Sequence, residues 1–149
     1  DCLKPAGLMK IGLYSNLARK DIAKIRRKVA KSDGELNINK IKAYRKEFLS
    51  SKKEFIKRVS LFDDFYSLSE LRDLLFHVNE HTFSLLQIIN YLDKLGLKFC
   101  GFEGDKTIKN FTQENDDCDN LYDLIKWHHY ENENPNTFLA MYQFWCQKI

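Results

Sequence analysis

Between residues 85 and 95 the apolar side chains Leu85, Ile88, Ile89, Leu92 and Leu95 recur every three or four positions. That spacing puts them on one face of a helix. A hydroxyl at Thr82 or Ser84 can accept an orphan backbone N–H and start the helix. Gly96 stands where a left-handed residue closes one. The run LKFCGF at 97–102 is apolar enough for a buried strand. A helix that stops at glycine and feeds an apolar strand is the αβ half of a βαβ unit, so the chain reads as α/β.

Two further strands are expected. Residues 8–13, LMKIGL, are mostly apolar and suit a central strand. The C-terminal stretch MYQFWCQKI alternates, with Tyr142, Phe144 and Cys146 on one face and Gln143, Trp145 and Gln147 on the other. The rest is helical. A helix is predicted over 15–31, with Leu17, Ile22, Ile25 and Val29 as its apolar stripe and Ser15 as its N-cap. A second runs from Asn37 or Asn39 to about residue 49, and a third covers 52–59. Ser67 and Glu70 have capping-box spacing and head a fourth. The polar stretch 104–120 reads as a loop with at most one helical turn near 108–111. Asp119 or Asn120 heads a last helix to residue 130, ended by a turn containing Pro135. Residues 3–7, Leu-Lys-Pro-Ala-Gly, read as a turn.

The chain has 149 residues, 44% hydrophobic and 13% aromatic, enough for one domain with a substantial core. No apolar run approaches the ~20 residues of a membrane helix, and no signal peptide is visible. Asp1 stands where Met is usual, which reads as an engineered segment, a processed product or a piece of a longer protein. Cys2, Cys100, Cys118 and Cys146 form no C-x-x-C pair, so reduced thiols and a cytoplasmic location are expected. The net charge of +3 is unevenly spread. Residues 10–58 carry 16 Lys/Arg against 5 Asp/Glu, and residues 101–134 carry 3 against 9. A basic half attracts phosphate-rich partners, but charge asymmetry alone fits solvated helix faces, and nucleic acid is not expected as a partner.

Several residues can carry chemistry. Tyr14 and Ser15 follow the first strand, at the edge where open α/β sheets bind ligands. Arg72 offers a planar fork to an anion, or an ion pair with Glu70 or Asp73. His77, Glu80 and His81 match the H-x-x-E-H of inverted zinc peptidases, in which histidines one helical turn apart share Zn²⁺ and the glutamate acts as base. Such a site needs a third ligand, such as Glu103, His128 or Glu131, and a helix boundary near Thr82 would turn the two imidazoles apart.

The order of the segments carries a resemblance. LKPAGLMKIGLYS resembles the fifth strand of class I S-adenosylmethionine-dependent methyltransferases, whose entry usually reads Leu-Lys-Pro-Gly-Gly; Ala6 replaces one glycine. NYLDKLGLKFCGFE resembles the last crossover helix and sixth strand. MYQFWCQKI resembles the seventh, which inserts antiparallel between the other two. The wording, including RDLLFHVNEHTFSLLQI and NPNTFLAMYQFW, is nearest to C-terminal parts of bacterial methyltransferases found beside tetratricopeptide repeats.

The resemblance implies a helix-rich α/β fold with a small three-stranded mixed sheet, its last strand antiparallel in the middle. Residues 1–149 would form a single domain, the C-terminal segment of a larger enzyme, with 15–81 a helical insertion and 1–14 and 82–149 the sheet and its packing helices. Tyr14, Ser15, Arg72, His77, Glu80 and His81 would bind or organise the acceptor substrate. The resembled fold holds S-adenosylmethionine through a glycine-rich turn, but the six glycines here form no G-x-G. The cofactor would then belong to the intact protein and bind this chain weakly, leaving it inactive alone. The missing N-terminal half, or a second copy pairing along an exposed sheet edge, would be its partner. A non-catalytic partner-binding α/β module and a zinc-dependent hydrolase are the other readings.

Overall fold

In the computed structural model, which describes residues 3–31, 37–76, 80–115 and 118–149, the chain divides into two compact units. One combines the N-terminal segment through Arg19 with His81–Ile149, and the other is Lys20–Glu80.

The first unit is built on a mixed sheet of four strands, not three. They are β1 (Leu8–Ser15), β2 (Thr82–Phe83), β3 (Leu97–Phe102) and β4 (Tyr142–Lys148), in the order β2-β1-β4-β3. β4 runs antiparallel to both β1 and β3, as expected of the last strand. The unexpected strand, β2, pairs parallel with β1 only at Tyr14↔Thr82 and Ser15↔Phe83. Two residues are too few for an alternating pattern to show in sequence. β2 is also the first strand of the βαβ unit whose second half the Gly96 stop announces. Among the described residues no strand pairs with Leu8–Leu13 on the β2 side.

Strand alternation sets which face is buried. Met9, Ile11 and Leu13 point to the same core as Tyr142, Phe144 and Cys146. In β3 a bulge between Phe99 and Gly101 inserts one residue, with Gly101 at φ 118°. Phe99 and Phe102, three apart, therefore both reach the core. Helices α5 (Leu85–Lys94), α6 (Asp105–Glu114) and α7 (Leu124–Glu133) supply Leu85, Ile88, Phe111, Trp127 and others to that cluster. α5 starts with a capping box between Ser84 and Gln87, and Gly96 follows it at φ 62°.

Two expectations need correction here. Residues 105–114 form a full helix rather than a loop with one turn, because Phe111 stacks on Trp127 with ring centroids 3.8 Å apart. Its single buried anchor was too sparse to give a stripe. α7 is capped by Asp123, which accepts from the N–H groups of Ile125 and Lys126, and not by Asp119 or Asn120.

The second unit is helical: α1 (Lys20–Ala30), α2 (Ile38–Leu49), α3 (Glu54–Val59) and α4 (Leu68–Phe76). It has its own core, including Ile22, Ile25, Phe48, Ile56, Phe65 and Leu71. α1 begins five residues later than expected, because β1 extends to Ser15 and residues 16–19 form a turn. Asn37 caps α2 by accepting from the Lys40 N–H at 3.0 Å. Arg26 donates to the Leu74 carbonyl and pairs with Glu80, both at 2.8 Å, which fastens α1 to the end of this unit.

The entry to β1 is a tight turn in which the Gly7 N–H donates to the Lys4 carbonyl at 2.9 Å. Pro5 takes the first central position and Ala6 the second, at φ 59°. That is the arrangement of a type II turn, whose second central residue is usually glycine. Ala6→Gly is expected to raise stability by about 1 kcal/mol, since a Cβ in the left-handed region is strained by that order. Gly7→Ala should lower it, because the new Cβ would lie 2.8 Å from the Lys4 carbonyl oxygen. Thermal and urea unfolding of both variants check this pair; a drop in stability for Ala6→Gly would refute the turn assignment.

Candidate functional site

The C-terminal end of β1 carries the most concentrated buried polar chemistry of the sheet unit. Ser15 is the last residue of β1 and alternates inward with Met9, Ile11 and Leu13, so its hydroxyl enters the core. It donates to Glu131 Oε1 at 2.6 Å. Glu131 lies on the same α7 face as Leu124 and Trp127 and is 3% exposed. The Tyr142 hydroxyl, from the start of β4, donates to both carboxylate oxygens at 2.8 Å. One carboxylate thus ties together a strand end, a strand start and a helix.

Burial pushes the Glu131 carboxyl above its ordinary range, and the two hydroxyl donors and the nearby His128 hold it back. Burial, then the Glu131 charge, raise the Tyr142 phenol, so it stays protonated and donating. A serine hydroxyl on a carboxylate resembles a nucleophile beside its base. Here Ser15 and Tyr142 are fully buried and Glu131 nearly so, so no substrate atom reaches them. The cluster acts by holding the end of β1 in place.

The reachable groups are its neighbours. The Tyr14 ring is partly exposed, with the Arg19 guanidinium 4.0 Å from its centroid. The turn between them is closed by Ser15: its carbonyl accepts from the Arg19 N–H at 3.0 Å and its hydroxyl from the Ala18 N–H at 3.2 Å. Ser15 therefore caps a turn, not the helix expected there. On the other sheet face Glu103 pairs with Lys10 at 2.5 Å and accepts from the Trp145 indole at 2.7 Å. Those bonds hold the Glu103 carboxyl below its usual range. A hollow of about 310 Å³ on α6 and α7 is lined by Glu114, Lys126, His129 and Glu133, among others.

Five of the six residues expected to bind substrate are described, and they fall in two separate units. Tyr14 and Ser15 are adjacent but point to opposite faces. Arg72 is exposed on α4 and pairs with neither Glu70 nor Asp73. His77 lies outside the described residues. Glu80 belongs to the helical unit and is engaged by Arg26, while His81 is exposed and belongs to the sheet unit. Of the possible third zinc ligands, Glu103 and Glu131 are each held by two side chains of their own unit. Among the described residues no group of three His, Cys, Asp or Glu side chains is placed to hold a metal, and no helix is long and apolar enough to cross a membrane.

Sequence reasoning weighed Glu131 as a zinc ligand or as joining a site with His128, and read Tyr142 as an inward strand position. Two signals were present. A carboxylate at the buried stripe of α7 and a tyrosine at an inward strand position both need a polar partner. No protein-family model matches the chain, and no curated protein sequence matches it significantly.

Because the folded state raises the Glu131 pKa, its contribution is fully present below the ordinary glutamate value and declines as pH rises through the raised one. Glu131→Gln does not titrate. Stability of this variant relative to the parent should therefore improve between about pH 4 and about pH 8. Parallel urea titrations at both ends of that range measure it, and a pH-independent difference would sink the assignment. Tyr142→Phe removes the one phenol proton shared between both oxygens of a buried carboxylate and should cost about 1–3 kcal/mol.

Proposed function

We propose that this chain is the acceptor-side portion of an S-adenosylmethionine-dependent methyltransferase whose cofactor-gripping part lies outside these residues. The observation that carries the reading is the placement of β4. It runs antiparallel between β1 and β3, which are parallel to each other, the order implied for the last three strands of the resembled fold. The Lys4-Pro5 turn entering β1 and the α5–Gly96–β3 passage support it in the same order along the chain.

On this reading the end of β1 faces the acceptor. Tyr14 with Arg19 offers a ring and a cation there. Ser15, through Glu131 and Tyr142, fixes the strand end and is a positioning residue. Arg72 and His81 are exposed and free to meet a substrate, and Glu80 organises the helical unit through Arg26. The parent protein is a cytoplasmic enzyme, and its N-terminal half covers the open side of β1. Pairing of two copies along that edge is the alternative cover.

The residues present do not fit the cofactor itself. Gly104, after β3, begins α6 and is followed by Asp105, which would repel a carboxylate. Glu103, the acid closing β3, is taken by Lys10 and Trp145. Calorimetry of this chain with S-adenosylmethionine should accordingly show no tight binding. The parent gene should encode a glycine-rich strand–helix turn upstream of Asp1, and the chain expressed with that segment should bind the cofactor. Micromolar binding by this chain alone would overturn the reading.

A further inference from the structure

The helical unit carries a hollow of about 620 Å³ lined by Lys42, Arg45, Lys46, Leu49, Ser50 and Leu68. Lys42, Arg45, Lys46 and Leu49 stand at i, i+3, i+4 and i+7 on α2, so they share one helix face. No carboxylate lines the hollow. Among the described residues its three cations have no acidic partner, whereas the carboxylates of the unit that do form ion pairs are taken by other cations. Lys24 and Arg58 meet Asp21, Lys57 meets Glu54, and Arg26 meets Glu80. Glu47, the one acid of α2, is taken by Lys28. Among the described residues Lys42, Arg45 and Lys46 contact no carboxylate. The Arg45 guanidinium instead stands 5.9 Å from the centroid of the Tyr66 ring.

Like charges one helical turn apart destabilise a helix, and a bound anion relieves that repulsion. Cations converging on a concave surface also raise the local anion concentration. A guanidinium adds a planar fork suited to phosphate oxygens. The apolar side of the hollow asks for more than a bare ion. Leu49 is 52% exposed and the nearby Tyr66 is 59% exposed. An exposed aromatic beside a cationic groove is how nucleotides are held without sequence reading, the ring stacking a base and the cations taking phosphate. The hollow is shallow and open to solvent.

We infer that this hollow binds a nucleotide phosphate, with Lys42, Arg45 and Lys46 on the phosphates and Leu49, Leu68 and Tyr66 against the sugar and base. The site stands on the helical unit alone and is independent of methyl transfer. Its chemistry is shared by a free nucleotide and by one in a single strand.

The test is titration of the full chain at low salt with inorganic phosphate, adenosine diphosphate and a short single-stranded oligoadenylate, followed by calorimetry and backbone amide shifts. The diphosphate should bind about tenfold tighter than inorganic phosphate, the effect of one stacked base. Shifts should concentrate on residues 42–50 and 66–68. Affinity for the oligonucleotide should fall with salt at a log–log slope of about −2, from three cations at about 0.7 each. Tighter binding of the oligonucleotide assigns the site to a strand, and equal binding assigns it to a free nucleotide. The combined variant Lys42→Gln, Arg45→Gln, Lys46→Gln should lose binding while melting no lower than the parent, because repulsion has been removed. Equal affinity for phosphate and diphosphate, binding that survives the triple variant, or no binding at low salt would each overturn the inference.

Discussion

The sheet unit depends on the antiparallel ladder between β1 and β4. Its register sets Met9 opposite Cys146, Ile11 opposite Phe144 and Leu13 opposite Tyr142. All six side chains fall on the core face. The other face takes Lys10 opposite Trp145 and Gly12 opposite Gln143. A slip of one residue would turn every one of these to the wrong side, so the buried face fixes the register strongly. The same ladder places Ser15 one inward step beyond Leu13, which faces Tyr142. The buried polar cluster is thus a consequence of strand register as much as of its own hydrogen bonds.

That cluster places a carboxylate and two hydroxyls inside an aromatic core. Left unpaired, each such group costs about 1–3 kcal/mol, and a charged one costs more. Here Glu131 accepts from both hydroxyls, and neither hydroxyl lacks a partner. Apolar groups of the same shape could pack as well, so the cluster is better understood as specifying an arrangement than as adding stability. Only one registration of β1, β4 and α7 satisfies all its members at once. The end of β1 is therefore held firmly where Tyr14 and the turn to Arg19 leave the sheet.

Much of this was legible in the chain. Period-two alternation gave β4, the unbroken apolar run gave β1, and the Ser84 and Gly96 boundaries framed α5. Each is a local signal repeated over several residues. What escaped was either too short or too dependent on tertiary contact. β2 has two residues and exists because Tyr14 and Ser15 offer it an edge. α6 has one buried anchor, Phe111, whose partner Trp127 is sixteen residues away. The strand at 97–102 was expected, but not the bulge at Gly101 that turns both Phe99 and Phe102 to the core. For the site, sequence gave Ser15 its place at a strand end but not its partner, since Glu131 lies 116 residues on. The histidine motif shows the converse: a short pattern can be chemically sound while its middle acid is committed elsewhere, as Glu80 is to Arg26.

The two cores explain why charge is distributed as it is. Each unit closes its own apolar cluster, so the helical unit does not need its outer faces for stability. Basic residues beside those faces are then constrained only by their neighbours, and several find an acid: Asp21 alone receives Lys24 and Arg58. An exposed pair of this kind contributes about 0.2–1 kcal/mol, so matching a cation is easy wherever an acid can be placed one turn away. The α2 face from Lys42 to Leu49 lacks that cheap compensation at three successive positions. Placement by helix dipole accounts for Lys46, in the last turn, where a cation is favoured. It does not account for Lys42, which lies well before that turn. On this face repulsion persists beside a hollow with an apolar side, and a bound phosphate resolves both features together.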